Sequence, residues 1–197
     1  MPMESRQIGE SDIVDIASYG AMRAERRRRM TELKRVRRLE VGPFATFYFE
    51  NYETMLHQVQ EMLFIEKGGA AQLPDELRAY NPLIPQGREL VATVMFEIDD
   101  PVRRARTLGR LGGVEETAFI EVDGSRIAGA PEEDQDRTTA DGKASAVQFI
   151  HFPFAPEQIV RFCAADARAV VGFAHPDYSH MAVMPGAIRL ALAADFA

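Results

Sequence analysis

One cysteine, Cys163, is all the thiol the chain carries. That excludes an internal disulfide and any zinc or iron–sulfur centre built from several thiolates. Any metal would have to be held by histidine and carboxylate. No stretch reaches the roughly 18 uninterrupted apolar residues of a membrane helix, and Met1 to Glu10 lacks the apolar centre of a signal peptide. The expected setting is therefore the cytoplasm, away from the membrane. A Gly-rich phosphate loop, a nucleophile elbow and an HExxH helix are all missing, which argues against P-loop, α/β-hydrolase and zincin chemistry. There is no internal repeat and no low-complexity tract.

What is present is ordinary globular material: 197 residues, 46% hydrophobic and 27% charged. That length suits one domain burying roughly two-thirds of its unfolded surface. The charge is unevenly spread. Between Arg23 and Arg38 stand nine Arg or Lys and two Glu, so this run carries +7 while the remainder of a chain of net charge -7 carries -14. Two readings compete: a basic helix paired with the protein's own acids, and a basic helix offered to an external polyanion or acidic partner through Arg23, Arg26, Arg27, Lys34, Arg37 and Arg38. The first predicts that at least two of these arginines pair with carboxylates elsewhere in the chain or in a second subunit. Overall acidity argues against nucleic acid, which calls for a net basic footprint. A homo-oligomer or a protein partner is the expected company.

Helical spacing from Tyr19 to Val36 predicts a long helix over residues 12–38. Phe44 to Glu50 alternates as a half-buried strand, and Asn51 caps a helix that runs to Gly68-Gly69. A short helix from Pro74 to Tyr80 leads into the turn chemistry of Asn81-Pro82 and Pro85-Gln86-Gly87. Leu90 to Ile98 reads as a strand, and Asp100-Pro101 opens a helix closed by Gly112-Gly113. Asp123-Gly124 joins two strands as a hairpin. Residues 131–143 read as an exposed, mobile loop. A strand over 146–152, a helix over 156–164, a strand over 168–174 and a helix after Pro185 complete the chain. The class is α+β, mostly antiparallel, with residues 88–174 in the β-α-β-β-α-β order of a ferredoxin-like core. Residues 1–85 form a helical extension with one strand, and residues 86–197 form the sheet-containing core.

Four strings carry a resemblance: Phe49-Glu50-Asn51, Gln58-Val59-Gln60-Glu61-Met62, Glu76 to Pro85, and His175-Pro176-Asp177-Tyr178. In these the chain resembles the bacterial domain of unknown function family 3501 over essentially its whole length, the Glu76 to Pro85 string being the most specific piece. The family's genes neighbour those of rubrerythrin and iron–sulfur oxidoreductases, which implies an accessory role in iron or redox metabolism. His57 and His151 depart from the family pattern.

Several residue sets could carry chemistry. His175 and His180, with Asp177 between them and Glu89 brought in by a ferredoxin-like sheet, could hold iron or zinc. In that sheet His151 would stand about 10 Å from His175, two strand spacings away. The bland alternative is a packed His175 and a solvated His180. Glu50, Glu61, Glu66 and Glu97 are carboxylates in or beside apolar segments, and such groups need partners when buried. His57 and Glu61 are helix neighbours at i, i+4. Tyr80 and Tyr178 belong to the resemblance strings. Cys163, among apolar neighbours, reads as a small buried residue.

Overall fold

The computed structural model describes residues 6–132, 138–139 and 142–196. The centre of the 131–143 stretch, and with it the expected mobile loop, lies outside the described residues. The first helix starts later than residue 12, because Asp15 caps it, its carboxylate accepting from the amides of Ala17 and Ser18. That helix, α1 (Ile16–Arg35), stops before β1 (Arg38–Val41) and β2 (Ala45–Phe49). Asn51 caps α2 (Tyr52–Glu66) through Thr54, and α3 (Leu73–Tyr80) follows. Next come β3 (Glu89–Phe96), α4 (Pro101–Leu108), β4 (Ala118–Val122), β5 (Ser125–Ala128) and the two-residue β6 (Ala130–Pro131). The last elements are β7 (Val147–Pro153), α5 (Pro156–Cys163), β8 (Ala169–His175), β9 (Tyr178–Val183) and α6 (Gly186–Ala193).

Every strand pairing is antiparallel, in two sheets of order β1-β2-β3-β7-β6 and β5-β4-β8-β9. Gly129 lets one chain segment serve both sheets. Its amide donates to Ala118, and a Cβ there would lie 2.7 Å from the Ile150 side chain and 3.1 Å from the Ala118 carbonyl. The inward faces meet in one aromatic core. Phe47 stands 5.1 Å from Phe173 across the two sheets, and Phe96 and Phe152 pack beside them. Each such fully buried side chain contributes roughly 2 kcal/mol of apolar burial.

A second core lies on the outer face of the first sheet. Val91 packs there under Met55, Val59 and Leu63 of α2, together with Leu83, Ile84 and Ile8. The Glu76 to Pro85 string is therefore packed structure, and Asn81 fastens the N-terminal segment by accepting from the Ile8 amide and donating to the Ile8 carbonyl.

The α+β, antiparallel expectation holds, but the β-α-β-β-α-β segment does not form one ferredoxin-like sheet. β3 and β7 lie in one sheet, β4 and β8 in the other, and β3 sits between β2 and β7. The N-terminal part is no helical appendage either, since β1 and β2 extend the first sheet directly from β3. Cys163 is exposed, because α5 buries the adjacent Phe162 and turns the thiol outward.

Tyr178 joins the two ends of the strand order. Its hydroxyl donates to the Val41 carbonyl at 2.7 Å and accepts from the amides of Phe44 and Ala45 at 3.0 and 2.9 Å. Gly42, at φ 68°, makes room: a Cβ would fall 2.6 Å from the His180 ring and 2.9 Å from the Tyr178 hydroxyl. Tyr178→Phe should cost about 2 kcal/mol through unpaired backbone groups. In a chain of this size that lowers the melting temperature by roughly 4–8 °C. Calorimetry showing an unchanged midpoint would contradict this role.

Candidate functional site

The proposed metal ligands are each engaged elsewhere. His175 ends β8, buried, with Nδ1 accepting from the Asp177 amide at 3.1 Å; Nε2 therefore carries the proton and donates to the Gly112 carbonyl at 3.2 Å. Neither nitrogen has a lone pair left for an ion. Asp177 pairs with Arg110 at 2.5 Å, and His180 lies exposed on β9 against the Tyr178 ring. Glu89 is on the other sheet, with His151. The histidine–proline–aspartate–tyrosine string thus works as a strand reversal and closure, which its partners far away in sequence did not reveal.

Glu89 and Glu132 instead hold His151 between them. Nδ1 lies 3.0 Å from Glu89 and Nε2 2.9 Å from Glu132. Antiparallel pairing of β3 with β7 sets Val91 opposite His151, so Glu89 stands diagonally across on the same face. The hydrogen bond to Glu89 is the largest cause of a pKa raised above the ordinary histidine value, with burial opposing it. An imidazole donating through both nitrogens bridges the carboxylates rather than binding an ion. Among the described residues no group of three or more His, Cys, Asp or Glu is placed to hold a metal. Glu132 was not among the expected residues, and no spacing in the sequence signals it.

The other carboxylates take local donors. Glu97 accepts from the hydroxyls of Thr46 and Tyr48, and Glu66 from Gln72. Glu50, 4% exposed, accepts from Thr93 through Oε1 while its Oε2 is buried with no partner. Burial raises the phenol of Tyr80 and that of Tyr178. An open groove of about 620 Å³, lined by Arg6, Ile8, Leu77, Arg78, Asn81 and Pro82 among others, contains none of the expected site residues.

The basic run divides into used and unused cations. Arg37, 3% exposed, reaches Asp195 at 2.5 Å and donates to the carbonyls of Phe49 and Glu50, binding the C-terminal segment to the sheet. Its expected place in a docking surface is therefore wrong. Arg23 forks onto Glu61 with two bonds of 2.8 Å, and Arg29 meets Glu53 at 2.9 Å. The expectation of at least two internal pairs is met. Glu61 also accepts from the buried Tyr19 hydroxyl at 2.6 Å. The Arg23 bonds, more than any other cause, hold its pKa at about 2. The stability this adds is present above the ordinary carboxylate value and is lost as pH falls toward about 2.

Arg26 lies over the Tyr19 ring at 5.7 Å. Among the described residues, neither it nor Arg27, Arg28, Lys34 or Arg38 has a carboxylate within 4.0 Å. Arg27, Arg28 and Arg38 are exposed. Helical geometry places Arg27, Thr31 and Lys34 along one flank of α1 and Arg28 on its outer face, where Arg35 meets Glu32 at 3.6 Å. This is a cationic surface held on a rigid element.

The raised pKa of His151 has a measurable sign. Its stabilisation is complete below the unfolded histidine value, about 6.5, and is lost as pH rises through the folded value. Urea unfolding across neutral and alkaline pH should show that decline in the wild type and a flatter profile in His151→Gln. Parallel profiles would contradict the bridge.

A solved protein of unknown function from Burkholderia pseudomallei K96243 superposes with a TM-score of 0.89 at 29% identity, covering 96% of this chain and 98% of that one. No curated protein matches. A family model described as Protein of unknown function (DUF3501) matches residues 7–196. Nearly the whole chain, from the segment latched by Asn81 to the tail bound by Arg37, falls within that match, and the protein belongs to the DUF3501 family.

Proposed function

We propose that this chain is a binding module that presents the cationic surface of α1 to an acidic protein surface, either another protein or a second copy of itself. One observation carries the reading: carboxylates meet Arg23, Arg29, Arg35 and Arg37, while Arg27, Arg28 and Lys34 on α1, with Arg38 just beyond it at the start of β1, have none among the described residues. Arginine is costly to order and gains little from an exposed internal pair. A row of them on a rigid helix, in an otherwise acidic chain, is suited to steering and orienting an acidic partner. The rest of the chain is itself strongly acidic, so a second copy has the complementary charge. A metal site at His175, Asp177, His180 and Glu89 would need donors that the described residues do not gather. No helix among the described residues is long and apolar enough to cross a membrane.

A fluorescent decaglutamate peptide tests this directly. Binding should weaken steadily with salt, and the pair Arg27→Glu and Arg28→Glu should lower affinity at least about tenfold, or about 1.4 kcal/mol. Equal binding by wild type and variant would remove the reading. Clear preference for an RNA of equal charge would replace it with polyanion binding.

A further inference from the structure

α1 and α2 run antiparallel against each other, and their contact is a short ladder of charged steps. At one end Arg23 meets Glu61, and at the other Arg29 meets Glu53. On α2 these two glutamates are eight residues apart, and midway between them, one helical turn from each, stands His57. Its Nδ1 lies 3.5 Å from the Tyr19 hydroxyl, whose proton is already committed to Glu61. The charges that bear on His57 from α1 are those of Lys34, Arg27 and Arg26, with Glu61 opposing them. The middle step therefore has its cations and lacks its anion.

We propose that this step is the seat of one carboxylate of the docking partner, held by Arg26, Arg27 and Lys34 and hydrogen-bonded by His57. The inference rests on the docking reading and specifies where the partner's acid goes. Three cations on the helix that packs against one half-buried imidazole give a partly desolvated field, in which a charge-assisted bond is stronger than on an open helix face. Arg26 is held over Tyr19, and Arg27 and Lys34 are carried on one flank of the same helix, two turns apart.

Proton balance follows from the same geometry. Burial, aided by Lys34, Arg27 and Arg26, keeps the pKa of His57 below the ordinary histidine value in the free protein. A bound carboxylate offsets those three charges and offers an acceptor. The imidazole then takes a proton from solvent and becomes imidazolium, while the carboxylate stays ionised. The groups facing this event are Tyr19, Arg23, Arg26, Arg27 and Lys34 on α1, and Glu53 and Glu61 on α2. Docking is thus linked to proton uptake at His57.

Calorimetric titration of the full chain with hexaglutamate, in two buffers of different ionisation enthalpy, reads that proton. For the wild type the affinity should rise as pH falls from about 8 to about 6, by up to about tenfold per unit, with matching proton uptake. His57→Gln should bind with a flat pH profile. Lys34→Gln should bind more weakly with a reduced slope, while Arg28→Gln, on the outer face, should lose affinity and keep the slope. Unchanged thermal unfolding of each variant shows that the fold is retained. Binding with the same pH profile in wild type and His57→Gln overturns the seat and leaves the docking surface standing. Absence of hexaglutamate binding by the wild type at low salt overturns both.

Discussion

Closure of the strand order is the constraint on which the rest of this fold depends. Two antiparallel sheets can share a core only if their outer strands are managed, since an open edge presents a row of unpaired amides and carbonyls. At one side the chain crosses between sheets through Gly129. At the other, a single buried hydroxyl on Tyr178 binds β9 to the β1–β2 turn with three hydrogen bonds. That turn needs Gly42 because the tyrosine and His180 occupy the space a side chain would fill. The aromatic core between the sheets is closed as a result, and Phe47, Phe96, Phe152 and Phe173 fill it.

With the interior filled, the docking proposed for this chain falls to the outside, where charge is unevenly spread. The first sheet's outer face is covered by α2 and the Leu83-Ile84 segment, so α1 packs chiefly on α2. Tyr19 and Met30 are its buried residues, and this narrow contact leaves a helix of twenty residues largely in water. Glu61 anchors it through Tyr19 and Arg23. Such a helix is held by polar bonds more than by apolar burial. Its stability is therefore sensitive to salt and to strong acid, and its surface is free to carry like charges that a more deeply buried helix could not.

Local signals in the sequence were legible where they act on adjacent residues. The Asn51 cap, the Asp100-Pro101 helix start and the Asp123-Gly124 hairpin all stand where short-range chemistry puts them. β1 was hidden because Arg38-Leu39-Glu40-Val41 continues an arginine-rich helix without a breaker. β9 was hidden because Tyr178 to Val183 shows no alternation, being mostly exposed on an edge. Without those two strands the remaining order imitates a ferredoxin-like unit. The same lack of long-range information misled the reading of His175. Its partner Gly112 lies 63 residues away, and the Val41 carbonyl that receives Tyr178 lies 137 away. The charge imbalance of the basic run, by contrast, was legible as composition, and internal pairing of part of it followed. Which cations stay unpaired required the register of α1 on α2.

The account's central claim is that the unpaired cations of α1 form the recognition surface, and chemical-shift mapping of the isotope-labelled chain tests it most directly. On addition of an acidic peptide, the perturbed amides and side chains should trace Arg26, Arg27, Arg28 and Lys34 on α1 and the facing turn of α2 around His57, leaving β8 and β9 unchanged. Perturbations centred instead on His175 to His180, or on the groove between Arg6 and Asn81, would contradict it.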